Sequence, residues 1–343
     1  MKIVVTGASG SVGTAVLRAL RQAEDIDEVV GIARRVPPRT PPAPYDVARW
    51  VGLDVGAKNT RDVVSTLGEA MHGADAVIHL SWAIQPSHHR ERLRRTNVLG
   101  AQRMLAAARD SKVPHVVVAS SVGAYSPDAD GSKRRDESWP RNGVPTCEYS
   151  VDKADVERLL DAHERAHPHV LITRLRPALI FQRVAGSEIL RYFFGPTVPP
   201  SIFGGRAPVL PWPHGMRLQA VHADDVAQAY LSAVRRKPGG AFNISAEDVL
   251  GGEQIASLLS HGRLMEVPRA AFRGAVAAAW NTRIVPVSPG WIDMALAAPL
   301  MDTSRARAEL GWSARHSALD TVAEIFRGMD EGAGTPSPPL RPR

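Results

Sequence analysis

With 343 residues, 44% of them hydrophobic and 22% charged, the chain has the bulk for one large domain or a two-lobed enzyme. Its one cysteine, Cys147, excludes a disulfide framework within one chain and a cysteine-only metal site. The net charge of +7 comes mostly from scattered arginines, which read as a solvated basic surface suited to anionic small ligands, with no nucleic-acid partner expected. No apolar run approaches the roughly 18 residues that a membrane span needs. No secretory signal is visible, so a soluble, cytoplasmic protein with no membrane partner is expected.

Residues 2–6 are an apolar, β-branched run that reads as a strand. The run ends in Thr6-Gly7-Ala8-Ser9-Gly10-Ser11-Val12-Gly13 and opens into a helical pattern over residues 12–22. Glycines at this spacing let a strand turn tightly into a helix and let backbone approach a pyrophosphate. The helix amino terminus then offers N–H groups to phosphate, and Gly13 lets the helix pack closely on the sheet. A plain tight turn would need none of this context.

The second strand, residues 28–33, ends in Ala33-Arg34-Arg35. A carboxylate there would bind ribose hydroxyls, as in NAD sites. Two guanidiniums suit a 2′-phosphate instead, so NADP is the expected cofactor and NAD the alternative. A weaker third strand over 50–55 brings Asp54 and Val55 to the same edge; Asp54 is an acceptor for the adenine amino group or a turn cap. Further strands at 75–80, 115–119, 169–175 and 241–245 alternate with helices at 97–110, 149–166 and 224–236. Such alternation predicts an α/β fold: a doubly wound parallel sheet, covered on both faces.

From 183 to 216 proline and glycine are dense, and the chain reads as an irregular excursion of the kind that shapes a pocket. Together with residues 248–330 it forms the expected smaller C-terminal substrate lobe. Residues 1–182, with 217–247 returning, form the dinucleotide-binding domain. The tail, 331–343, is rich in Gly, Pro and Ser and is expected to be disordered. Ile202, Phe203, Trp212 and Trp280 either enclose a ketone-bearing ligand or belong to ordinary core. His88 and His89 lack further ligands at suitable spacing, so they read as surface residues and no metal is expected.

Tyr149-Ser150-Val151-Asp152-Lys153 puts a tyrosine and a lysine one helical turn apart on the same face. Free tyrosine titrates near pH 10. A neighbouring ammonium favours the phenolate and is expected to lower that value toward a useful range. The fifth strand ends in Ala119-Ser120-Ser121, where a hydroxyl can point into the crevice and stabilise charge on a carbonyl oxygen. Ser121 is the expected catalytic hydroxyl, with Ser120 nearer the cofactor.

At this point the chain resembles the extended short-chain dehydrogenase/reductases, also called the NAD-dependent epimerase/dehydratase family. The glycine turn and the Ser121–Tyr149–Lys153 set carry the resemblance. So do the stretches Asp75 to Leu80, Asn97-Val98-Leu99-Gly100, Leu175-Arg176-Pro177, Val221 to Ala227 and Leu310-Gly311-Trp312. It implies that Leu80, Ser81 and Trp82 line the cofactor, with Ala119 and Ser120 on the same side. It also implies that Asn97 braces the crevice and that Pro177 and Leu179 flank the nicotinamide. Gln85, Tyr125, Arg183, Arg217 and His222 are candidate contacts to a small-molecule substrate; Arg191 and Arg206 are further candidates for binding a pyrophosphate. A homodimer is expected by family analogy alone.

The resemblance implies an enzyme. Family dehydratases carry two acids after the catalytic hydroxyl residue; here Val122 and Gly123 follow Ser121, which argues against sugar dehydration. Three readings remain: NADP(H)-dependent reduction of a ketone or aldehyde or the reverse oxidation, nucleotide-sugar epimerisation, and a non-catalytic NADP-binding sensor or scaffold. Arg34 and Arg35 favour the first, and the retained Tyr149 and Lys153 argue against the last.

Overall fold

The computed structural model describes residues 1–128, 131 and 133–342. The valine- and isoleucine-rich runs assemble into one parallel sheet. Its strands are β1 (Lys2–Thr6), β2 (Glu28–Ala33), β3 (Ala48–Gly52), β4 (Ala76–His79), β5 (His115–Ala119), β6 (Leu171–Pro177) and β7 (Gly240–Ile244). They lie in the order β7-β6-β5-β4-β1-β2-β3, every pairing parallel. The winding direction reverses at β1, and a crevice opens at the carboxyl ends of the strands beside that reversal. The chain is therefore α/β and doubly wound.

The central strands are buried on both faces: Ile3, Val4, Val5, Val77, Ile78, Val116 and Val117 have no exposed surface. On one face, α1 (Ser11–Arg21) packs against α5 (Ala223–Arg236), joining Leu17, Val226 and Tyr230 to Ile3 and Ile78 in one apolar cluster. On the other, α2 (Thr60–Met71), α3 (Gly100–Asp110) and α4 (Glu148–Ala166) bring Leu67, Met104 and Leu160 onto Val4, Val77 and Val116. Cover on both faces is what lets the central strands run apolar; β6 also carries Arg174 and Arg176, both buried and paired with Glu157.

A third cluster gathers Phe203, Trp212, Ile255, Ile325 and Leu340 outside the sheet. The 183–216 stretch is irregular but does hold one strand, Leu210–Pro213, paired in parallel with Leu264–Val267. Beyond it run α6 (Arg269–Asn281), α7 (Pro289–Ala297) and α8 (Ala318–Asp330). Among the described residues, no helix is long and apolar enough to cross a membrane.

Three expectations need correction. The third strand ends at Gly52, opposite Ala33, because β2 gives out there; residues 53–55 become crevice wall instead. The helix expected at 97–110 begins earlier, with Arg90–Arg94 and a π turn over Arg95–Leu99 leading into α3. The tail is ordered in its described part: Leu340 is fully buried, a 3-10 turn spans Pro338–Leu340, and Arg191 donates to the carbonyls of Pro339 and Arg341. Composition pointed to disorder, but one leucine in the third cluster anchors the segment.

Candidate active site

The glycine turn is dictated by close approach. Gly7 has φ +73°, and a Cβ on it would lie 2.8 Å from the Leu80 carbonyl carbon and the Ser81 amide nitrogen. A Cβ on Gly13 would lie 2.5 Å from the carbonyl oxygens of Gly7 and Ala8. Only residues without side chains let β1, α1 and the loop after β4 meet this tightly. Ser11 and Val12 open α1, and Gln182 donates to the Ser11 carbonyl at 2.7 Å, bracing the turn from outside.

One crevice collects the residues at the strand ends. Gly7, Ser9 and Gly10 form its floor beside Leu80, Ser81 and Trp82. Arg34 and Arg35 line its far end with Asp54 and Val55. The Asp54 carboxylate also accepts from the Gly56 amide at 2.9 Å, so it caps the turn it stands on while facing the crevice. Three residues from the rest of the chain complete the lining: Glu188, Tyr192 and Pro339. The cradle that a Cβ would fill, the amino end of α1 and the two guanidiniums fit an anionic dinucleotide.

A second pocket adjoins the first and shares Ala83, Ile84 and Gln85 with it. Tyr149, in the first turn of α4, lines it. The phenol ring stands edge-on to Trp82 at 5.7 Å and tilted against Trp291 at 5.0 Å. Burial pushes its pKa up to about 12, while a hydrogen bond with Ser121 pulls the other way. Ser121 in turn accepts from the Gly123 amide at 3.0 Å.

The expected phenolate-lowering ammonium acts elsewhere. Lys153 Nζ donates to the Ala119 carbonyl at 2.8 Å and sits 3.5 Å from the centre of the Trp82 ring, with the Tyr149 ring 5.7 Å away. Burial lowers its pKa to about 7, against the pull of Glu157 and Asp152. Desolvation outweighs the Ser121 hydrogen bond at Tyr149 and the two carboxylates at Lys153. The phenol is therefore held in its neutral form.

Other predicted residues hold this arrangement from behind. Asn97 is buried; its Oδ1 accepts from the Ala83 amide at 2.8 Å, and its Nδ2 donates to Asp152 at 3.3 Å. Ser120 turns away from the crevice and donates to Glu157 at 2.6 Å. Burial alone would raise the Glu157 carboxyl, but the paired Arg176 holds it at about 2. Pro177 closes β6, and Leu179 follows it, 36% exposed.

Four substrate candidates lie apart from both pockets. Tyr125 is sealed in the interior, donating to Asn243 at 2.6 Å and accepting from Arg176 at 3.0 Å. Arg183 is exposed and paired with Glu331. Arg217 donates to the Gly131 carbonyl. His222 caps α5 by accepting from the Asp224 amide at 3.2 Å and packs on His316 at 4.2 Å. Gln85 alone of the five lines the pockets. Phe203 and Trp212 are core, whereas Trp280 lines the second pocket, stacked on His88 at 3.8 Å.

Sequence reasoning missed Asp152, Trp291 and Glu188. Asp152 is fully buried and takes both nitrogens of Arg90, at 2.6 and 2.7 Å. Its signal was present: an acid on the inner face of α4 one residue before Lys153. Trp291 and Glu188 carried none, since neither falls within a motif.

A sequence model of the NAD dependent epimerase/dehydratase family matches residues 3–245. Over 355 residues the chain is 27% identical to a Stigmatella aurantiaca protein, covering 97% of this chain and 98% of that one. That relative is described as a 4-hydroxy-2-methyl-3-oxo-4-farnesyl-3,4-dihydroquinoline-1-oxide ketoreductase. An uncharacterised Mycobacterium tuberculosis protein is 26% identical, covering 95% of this chain and 83% of that one. Among solved structures, a Stenotrophomonas maltophila UDP-glucose-4-epimerase superposes with a TM-score of 0.69 at 18% identity, covering 96% and 98% of the two chains. At that identity the likeness is one of fold.

Proposed function

From the premise that the chain belongs to the NAD-dependent epimerase/dehydratase family, and so is an NAD(P)-dependent oxidoreductase or epimerase, we propose that it reduces a ketone or aldehyde with NADP(H) in the cytoplasm. One observation carries this reading: the Tyr149 phenol is held neutral, its pKa near 12, and hydrogen-bonded to Ser121 in the pocket that adjoins the glycine-turn crevice.

A bound nicotinamide supplies the hydride. Tyr149 hands its proton to the carbonyl oxygen as charge grows there, and a neutral phenol is the form that can donate. Ser121 shares the load by hydrogen-bonding to the same oxygen. Lys153, its Nζ tied to the Ala119 carbonyl and packed over Trp82, is a compact donor buried behind the Trp82 wall of the crevice. Arg34 and Arg35 favour the 2′-phosphate of NADP over a free ribose hydroxyl. The full-length ketoreductase relative supports reduction over epimerisation.

Tyr149→Phe tests the assignment. With NADPH and a panel of ketones, aldehydes and nucleotide sugars, the variant is expected to lose about 10²–10⁴-fold in kcat while its NADPH dissociation constant stays close to wild type. Wild-type turnover in that variant would remove Tyr149 from the chemistry. Turnover of nucleotide sugars alone would replace reduction by epimerisation.

A further inference from the structure

We propose that the second pocket takes a neutral, flat, aromatic carbonyl compound, with Trp291 as the platform on which it lies. The proposal rests on the reductase reading above. Trp291 packs tilted against Tyr149 at 5.0 Å, and Phe193 meets it at 5.2 Å and 87°. Its orientation is thus fixed between two aromatic neighbours. Trp280, in the same lining, is held flat against His88, with an interplanar angle of 17°. Ile84, Pro86 and Pro289 add apolar surface to the lining. Two indoles held by aromatic neighbours suit a rigid planar ligand, beside the flexible chains of Gln85, Arg90 and Glu148 in the same lining.

The charges exclude the competing occupant. A sugar nucleotide carries a diphosphate, and burying that charge without a partner is costly. Arg90 lines the pocket, but both its terminal nitrogens are spent on Asp152. His88, the other basic group there, has its ring face against Trp280. Glu148 adds a carboxylate to the same lining. Arg183, Arg191 and Arg217 serve the Glu331 carboxylate and backbone carbonyls outside the pocket. The pocket offers aromatic surface and acidic charge where a diphosphate needs free guanidiniums.

In the reaction the carbonyl carbon takes a hydride from NADPH and the oxygen takes the Tyr149 proton. The products are an alcohol and NADP⁺, and the phenolate regains its proton from water.

The test compares α-tetralone, a fused aromatic ketone, with cyclohexanone. Trp291→Ala is expected to lower the ratio of their kcat/KM values at least about tenfold, and Trp291→Phe to keep most of it. A general disturbance of Tyr149 would slow both ketones alike and leave the ratio unmoved; that result would overturn the proposal. Binding is read separately by calorimetry on NADPH-loaded Tyr149→Phe protein, so the answer does not depend on Trp291→Ala folding. α-Tetralone is expected to bind, and UDP-glucose to bind more weakly or not at all. Failure of α-tetralone to bind, or tighter binding of UDP-glucose, would overturn it too. Binding of α-tetralone with no NADPH oxidation of any ketone by the wild type would instead sink the reductase reading and leave the pocket's preference standing.

Discussion

Arg34 and Arg35 share a crevice with Glu188, a carboxyl brought in from beyond β6. Burial raises Glu188 to about 7, with Arg191 and Arg35 pulling it down. Below that pH it is neutral and tolerates a phosphate beside it; above, it is an anion facing one. NADPH affinity is therefore expected to weaken between about pH 6.5 and about 8 more than NADH affinity does. Glu188→Gln removes that difference, and titrations of both cofactors at several pH values check it. If Glu188→Gln leaves the pH profile unmoved, the group does not face the ribose. Arg34→Ala is expected to raise the NADPH dissociation constant about tenfold or more while changing that for NADH little, since a charge-assisted hydrogen bond is worth about 1.5–3 kcal/mol. Equal effects on the two cofactors would withdraw the NADP assignment. At this scale the sequence was readable where a residue type has one use, as with the glycines and the two arginines. Lys153 shows the limit: spacing places it on the same helical face as Tyr149, but burial decides both pKa values, and burial cannot be read from spacing.

The strands were legible because most are rich in Val and Ile, and their alternation with helices pointed to the winding. Boundaries slipped where a neighbour decides them, as β2 does for β3. Helix α7 was not legible as part of the site at all. Nothing in Pro289–Ala297 marks it, yet it carries Trp291 onto Tyr149 and Met294 onto Cys147. It gets that close through Gly290, where a Cβ would run into the Thr146 carbonyl oxygen. Gly290→Ala is therefore expected to push α7 off α4. Overpacking of this kind costs about 1–3 kcal/mol. A thermal melt should show a lower Tm, and KM for the carbonyl substrate should rise more than that for NADPH. A variant with unchanged melting and kinetics would show that α7 has room to spare.

At the scale of the molecule, the amino and carboxyl portions are fastened together at the cofactor crevice. Ser337 donates to the Ser9 carbonyl at 2.6 Å, Thr335 shares a hydrogen with Tyr45 at 2.7 Å, and Pro339 lines the crevice wall. Leu340 anchors the strap in the third core cluster. Leu340→Ala is expected to cost about 2–3 kcal/mol in urea melts, toward the lower end for a buried leucine. It should also weaken NADPH binding through the glycine turn. Loss of stability with intact NADPH affinity would mean that the strap is ballast for the fold alone. Composition suggested a loose end here because Gly, Pro and Ser dominate; one leucine and two hydroxyls outweigh them.

The bond between Ser337 and Ser9 spans 328 positions of chain. A polypeptide emerging from the ribosome completes its seven-stranded sheet at β7, long before residue 337 is made. The nucleotide cleft thus exists for a time with its clasp undone. Dinucleotide arriving in that interval meets a more open doorway than it will later need to leave by.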